Sequence, residues 1–185
     1  MGTIKTTNIE PIADNGTVTL GSSGDTFTVP SGVTVNMSSA TQTGVGGANT
    51  PAFQAFLSSN QTISNNSATK ITINSEVYDT ASAFDTSNNR FTPQTAGKYI
   101  FYAQMTSADT QTANEFEITI KKNGTTVLMG RTTLENFCSI NTIGVVDMNG
   151  SSDYVEAFSF QNSGGNAILN GHTSATFFGG YKIIE

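Results

Sequence analysis

Few residues in this chain have a type and spacing that could do chemistry. Its one histidine, His172, sits in Asn170-Gly171-His172-Thr173-Ser174. A hydrolytic triad needs a base beside its nucleophile, and no local motif sets a serine or aspartate in that relation to His172. A solvated loop histidine is the ordinary reading. Asp147, Asp153 and Glu156 could supply the carboxylate pair of a glycosidase, but no spacing singles out two of them, and such charges usually sit on solvated faces. Gly44-Val45-Gly46-Gly47 has neither the lysine nor the following helix of a phosphate-binding loop. Cys138 is the only cysteine, so no disulfide framework exists within the chain. Its alternation with Ile140 reads as a buried, inert thiol. The Asn-x-Ser/Thr sequons at Asn15, Asn36, Asn60, Asn65 and Asn123 are what chance yields in so Asn- and Thr-rich a sequence. No catalytic residue and no cofactor is assigned, and the expectation is a protein that is not an enzyme.

Composition narrows the remaining classes. Eight Lys and Arg stand against fourteen Asp and Glu, a net charge of -6, and only 12% of residues are charged. Nucleic-acid binding needs a basic footprint, so it is excluded. Solubility falls to Thr, Ser, Asn and Gly, a surface common among extracellular β-proteins and fibres. No stretch has the apolar length of a membrane span, and Met1-Gly2-Thr3-Ile4-Lys5 lacks the apolar run of a signal peptide. An adhesive-looking β-protein without a secretion signal suggests a part of a virion, made in the host cytoplasm and released on lysis.

The elements that would position any site are strands. From Pro51 onward no helical period persists, and strands are expected near 52–57, 70–78, 98–106, 115–122, 126–134, 137–148, 153–161 and 174–184. Asn123-Gly124 is the clearest hairpin signal, because both residues tolerate the positive φ of a type I′ turn. In 115–121, Phe116, Ile118 and Ile120 alternate with Glu115, Glu117, Thr119 and Lys121, which gives that strand one wet face. The strand beginning Tyr99-Ile100-Phe101-Tyr102 is apolar on both faces, as is the last one, where Phe177, Tyr181 and Ile183 alternate with Phe178 and Ile184. One face of each belongs to the domain's own core and the other to a partner. Eight or so strands in a domain of this length fit a jelly roll or a sandwich.

The stretch Asp79 to Ala103 decides between them. Asp79, Phe84, Phe91, Gly97, Tyr99 and Phe101 carry the spacing of a known signature, and the chain from Pro51 to Glu185 resembles the globular head of complement component 1q, one of the tumour-necrosis-factor-like jelly rolls. Phe178-Gly179-Gly180-Tyr181 resembles that family's closing motif. Ile73 departs, standing where the family has Phe, and so does Ala103, standing where it has Phe or Tyr; both keep the hydrophobic character. The resemblance implies an all-β jelly-roll sandwich of the ten-stranded type, with the two greasy strands adjacent in an inner sheet around a threefold axis. A homotrimer follows, with Tyr99, Phe101, Phe177, Phe178 and Tyr181 as its expected inner sheet and interface. Each such side chain is worth about 1.5–3 kcal/mol when buried. Threefold symmetry would turn His172 into three ligands, but a lone histidine lacks the paired spacing of a metal site. Some members of the family bind calcium through loop carboxylates. Asp79 and Asp85 lie near the turn cluster, yet Ca²⁺ takes about six to eight oxygens, and no metal is assigned.

Ahead of the head the character changes. Residues 1–15 read as an extended attachment arm. Thr17-Val18-Thr19-Leu20, Thr26-Phe27-Thr28-Val29 and Val33-Thr34-Val35 read as short alternating strands, joined by turns at Gly21 to Asp25 and Pro30 to Gly32. Residues 16–40 hold too little apolar surface to bury in a monomer. Three copies could bury it as a small β-prism or β-helical stalk, and Gly24 to Gly32 resembles the short β-repeats of phage tail and fibre proteins. Residues 41–50 are a linker by composition.

The expectation is therefore a trimeric phage fibre or spike. Residues 1–40 would dock on other virion proteins, and the jelly-roll head (51–185) would bind a host-surface glycan or protein. The expected contacts lie in the polar loops, at Asp109, Thr110 and Gln111 and at Asn162, Asn166, Asn170 and His172. A capsid decoration, head fibre or collar protein is the alternative, followed by a free bacterial adhesin or lectin.

Overall fold

Asn123 and Gly124 adopt φ of 50° and 81°, as a type I′ turn demands. They fold β8 (Ala113–Lys122) directly onto β9 (Thr125–Leu134). The computed structural model describes residues 19–36, 49–108 and 112–183. The chain divides into two units, Met1–Val45 and Gly46–Glu185.

In the second unit, one sheet joins β1 (Ala52–Phe56), β4 (Ser75–Asp79), β7 (Ala96–Thr106), β10 (Ser139–Asn149) and β13 (Phe177–Lys182) in the antiparallel order β10-β7-β13-β1-β4. The other sheet joins β5 (Phe84–Asp85), β6 (Arg90–Phe91), β11 (Val155–Gln161), β8 and β9 in that order, with β3 (Thr69–Lys70) also paired to β11. β2 (Gln61–Ile63) and β12 (Ala167–Leu169) form a small pair of their own. The result is an all-β jelly-roll sandwich.

The core between the sheets is built by the period of two. Tyr99, Phe101, Ala103 and Met105 of β7 face inward and are buried, as are Phe116, Ile118 and Ile120 of β8. Phe53 anchors an aromatic cluster: its ring stacks 4.2 Å from Phe91 and 5.0 Å from Phe84, and meets Phe178 edge-on at 5.0 Å. The signature residues thus have structural duties. Phe84, Phe91, Tyr99 and Phe101 fill the core, while Asp79 accepts backbone N–H groups from Ala81 (3.1 Å) and Phe84 (2.7 Å), closing the turn that delivers Phe84. Gly97 takes a φ of 141°, a backbone conformation that glycine adopts without the strain a side chain would bring. Tyr99 donates its hydroxyl to the Thr95 carbonyl at 2.7 Å, and burial pushes its pKa up to about 12.

Several expected elements differ. The single strand at 70–78 is two, because the chain leaves the second sheet after β3 and joins the first at β4. Ile71 and Ile73 keep their side chains in the core across the gap. The strand expected from 137 begins at Ser139, since residues 135–138 form a tight turn in which the Cys138 N–H donates to the Glu135 carbonyl (3.0 Å). Cys138 is half-buried there rather than fully enclosed.

In the first unit, residues 19–36 contain the two expected turns but no strand. Asp25 and Ser22 bond reciprocally, N–H of Asp25 to the Ser22 carbonyl (3.0 Å) and N–H of Ser22 to the Asp25 carboxylate (2.6 Å). The Val33 N–H donates to the Pro30 carbonyl (3.2 Å). Leu20 and Phe27 remain 60% and 70% exposed, with Val33 and Val35 also open. A ladder needs a neighbouring strand to pay for ordering the backbone, and no described residue of this segment supplies one. The arm (1–15) lies outside the described residues, as do most of the linker and the ends of the 16–40 segment.

Candidate functional site

The five-stranded sheet presents an unusual outer face. The residues of β7 that alternate with the core set are Ile100, Tyr102, Gln104 and Thr106, all half-buried. Register places Tyr181, Gly179 and Phe177 of β13 opposite Ile100, Tyr102 and Gln104, and Val145, Ile143 and Asn141 of β10 opposite the same three. Ile143 is 67% exposed and Val145 55%. Across β13 follow Ala52, Gln54 and Phe56, then Tyr78 of β4. Three tyrosines converge near Gln54. Tyr102 donates its hydroxyl to Gln54 Oε1 (3.2 Å), and its ionisation is pushed well above the ordinary range, first by burial and then by Tyr78 and Tyr181 beside it. A notch of about 240 Å³ between Tyr102, Gln104, Asn141, Ile143 and Phe177 indents the face.

This placement corrects the sequence reading of the interface. Tyr99, Phe101 and Phe178 belong to the correct sheet but point into the chain's own core and are fully buried, so no partner can touch them. Phe177 and Tyr181 stand on the outer face. On β7 both phases are apolar; Tyr99 and Phe101 face the core, which leaves Ile100 and Tyr102 on the outer face beside Val145 and Ile143 of β10.

The outer face of the other sheet is charged and self-satisfied. Glu156 accepts from Lys70 Nζ (2.6 Å) and Arg90 (2.7 Å). Burial alone would raise its pKa, but these two hydrogen-bonded cations outweigh that and hold it below the ordinary carboxylate value. Arg90 also lies 3.9 Å over the Tyr154 ring, and Lys121 lies 4.1 Å over Phe158. Arg131 joins Glu115 (3.0 Å) and Glu117.

The carboxylates considered for hydrolysis are all committed to such pairs. Asp147 binds Lys98 (2.7 Å) and Asp153 binds Lys122 (2.8 Å). Asp153 also accepts from Asn123 (2.7 Å) and from the Asn149 N–H (2.9 Å), tying two turns together. Asp85 is held far below its usual range by Ser87 and Asn88, whose side chains and N–H groups donate to it within one turn. His172 Nδ1 accepts the Ser174 N–H (3.2 Å) and lies 2.9 Å from its hydroxyl, an exposed local turn. Among the described residues, no three His, Cys, Asp or Glu side chains are grouped to hold a metal ion.

Three of the polar connections meet at one end of the sandwich. Chain entry at Pro51 lies beside the end of β13, where the Lys182 N–H donates to the Pro51 carbonyl (3.1 Å). At the opposite ends of the strands, the β7–β8, β9–β10 and β11–β12 connections come together around an open cleft of about 510 Å³. Thr112, Asn114, Glu135, Asn136, Asn162 and Ser163 are among its lining residues. Asn162 is locked in place: its Oδ1 accepts the Glu115 N–H at 2.9 Å. Of the expected loop residues that are described, only Asn162 lines this cleft. Asn166 and His172 are exposed elsewhere, Asn170 is half-buried with its N–H on the Thr106 carbonyl (2.8 Å), and Asp109, Thr110 and Gln111 lie outside the described residues. Phe137 and Cys138 have the composition of a strand, yet the chain turns there before β10 begins at Ser139. Phe137 is 62% exposed and holds a φ of 57°, a conformation that costs a bulky residue about 1–3 kcal/mol.

No family model matches the sequence, and no curated protein matches it. Solved structures do share the fold. The globular domain of zebrafish complement 1qA is similar with a TM-score of 0.54 at 16% identity, over 73% of this chain and 98% of that one. Murine APRIL gives 0.58 at 14%, over 71% and 98%. Vertex protein P5 of the phage PRD1 gives 0.54 at 13%, over 74% and 99%. The second unit therefore shares the jelly-roll fold of these complement-1q and tumour-necrosis-factor-like domains.

Proposed function

We propose that this protein is a non-enzymatic, homotrimeric structural protein of a phage particle. Its head would hold the loop end outward for contact with the host surface. The observation that carries the reading is the contrast between the two sheet faces. One has its charges paired among themselves, whereas the other leaves Ile143, Val145, Tyr102 and Tyr181 without an apolar cover. A face of that character in a chain with only 12% charged residues marks a surface that associates. Three copies packing these faces around a common axis would cover it, and closed cyclic symmetry leaves no face over for further growth.

The open apolar side chains of residues 19–36 support the same reading, since three copies side by side could supply the neighbours that one copy lacks. Residues 1–40 would then serve as the stalk and the attachment to other virion proteins. Entry of the chain at the end of the head opposite the cleft suits outward presentation of the loops. The fold shared with P5, a vertex protein, supports a particle setting and favours a second reading, attachment at a capsid vertex rather than a tail tip.

Light scattering of the purified chain tests assembly: a mass of three copies is expected, and a stable monomer would overturn the proposal. Imaging of intact particles labelled with an antibody against residues 51–185 tests location. Label at fibre or tail tips favours adhesion, label at vertices the second reading, and particles without label reject both.

A further inference from the structure

We infer that the loop-end cleft is a binding site for an uncharged, hydroxyl-rich saccharide, held by Asn114, Asn136 and Asn162 with Phe137 beside it as an apolar platform. The inference deepens the host-contact reading above and rests on it for its biological setting. The cleft's volume of about 510 Å³ falls inside the range of roughly 300–1,000 Å³ typical of small-molecule sites. Its chemistry excludes most other ligands. Among its described lining residues Ala113 alone is apolar, too little for a lipid or the core of a protein interface, which need a broad apolar area. A single ring such as Phe137 suits one face of a sugar. Glu135 alone is charged among the described lining residues, and the chain carries a net charge of -6. Phosphate groups and acidic sugars would meet repulsion and no cation.

What the cleft does offer is paired donors and acceptors. Each asparagine carries a carbonyl oxygen and an NH₂ group on one plane, and each threonine or serine hydroxyl both donates and accepts. Vicinal sugar hydroxyls have the same dual character. Among the described residues, the side chains of Asn114, Asn136, Thr112 and Thr133 make no hydrogen bond that would have to be broken first. Asn162 is held by Glu115 at a fixed position on the wall. Phe137 belongs to the same tight turn as Glu135 and Asn136. An aromatic side chain kept 62% exposed in a left-handed conformation contributes nothing to the core. A sugar ring's C–H face would cover it. Three clefts on one trimer would add avidity on a dense glycan surface, which can exceed single-site affinity by about 10²–10⁴.

The test uses the full-length chain on immobilised neutral hexose and N-acetylhexosamine oligosaccharides, with sialylated and phosphorylated oligosaccharides in parallel. Retention on one or more neutral glycans is expected, with about a tenfold loss in Asn114→Ala and Asn136→Ala. Phe137→Gly should lose a similar factor, because glycine adopts the left-handed backbone freely and removes the ring without adding a polar group. Binding to none of the neutral glycans, to the acidic ones alone, or binding untouched by all three substitutions would each overturn the inference. Adsorption of the protein to host cells that survives all three substitutions would also overturn it while leaving the host-contact reading intact. Glycan binding with no adsorption to cells would support the cleft and remove that reading instead.

Discussion

The ring of Tyr102 occupies the space that a Cβ on Gly179 would need. On the opposite side of the same strand, Phe101 stands equally close to Gly180. The Gly-Gly pair of β13 is thus cut to fit two successive aromatic residues of β7, one lying on the outer face and one in the core. Gly179→Ala should push Tyr102 off the strand and distort the proposed assembly face while the core stays filled. The expected loss is about 1–3 kcal/mol of stability, with weaker self-association by light scattering. Gly180→Ala collides with Phe101 and the Ile100 carbonyl and should cost more, read as a lower midpoint of thermal unfolding.

Core and face can be separated by charge. Tyr99→Asp buries a carboxylate in the aromatic cluster and should unfold the head, a loss above about 4 kcal/mol. Ile143→Asp lies on the outer face and should leave the circular dichroism spectrum of the head unchanged while abolishing the trimer. A folded Tyr99→Asp chain, or a trimeric Ile143→Asp chain, would contradict the orientation of β7 or the proposed interface respectively.

Glu156 makes stability depend on pH. Its folded pKa lies below the ordinary unfolded value of about 4.3, so the folded state favours the ionised form. That stabilisation is complete above roughly pH 5 and disappears as the pH falls through the folded value. Urea unfolding between pH 7 and 3 should show the decline. Glu156→Gln should be less stable by about 1–3 kcal/mol at pH 7 and should flatten that part of the profile.

Asp79 closes the turn that delivers Phe84 to the core. Asp79→Ala removes the acceptor for two backbone N–H groups and should cost about 1–2 kcal/mol, measured by chemical denaturation. Calcium titration of the parent chain should leave its unfolding midpoint where it was, since the Asp79 and Asp85 carboxylates already serve their own turns.

Much of this was legible in the sequence wherever one residue type has one structural use. Asn123-Gly124 could only be a tight turn, and the alternation of Phe116, Ile118 and Ile120 could only be a strand with a single core face. On β7 the alternation was equally clear but both phases were apolar, so periodicity alone did not reveal whether Tyr99 or Tyr102 faced inward. Only the packing of Phe91 against Tyr99 and Phe101 settles it. The short strands β5 and β6 carry too few residues to show a period at all. The cleft escaped because it is assembled from three connections far apart in sequence, and because Phe137 has the composition of a strand while its backbone is a turn.

Pro51 joins the head beside Lys182, at the near end of β1, and β1 runs between β13 and β4 toward the cleft. Any tug between a grip at the far loops and an anchor ahead of Pro51 would therefore draw β1 lengthwise against both neighbours. Its ladder bonds would be strained all at once instead of peeling one after another. If the proposed attachment holds, resistance to mechanical load would be set by the shear of β1 between β13 and β4.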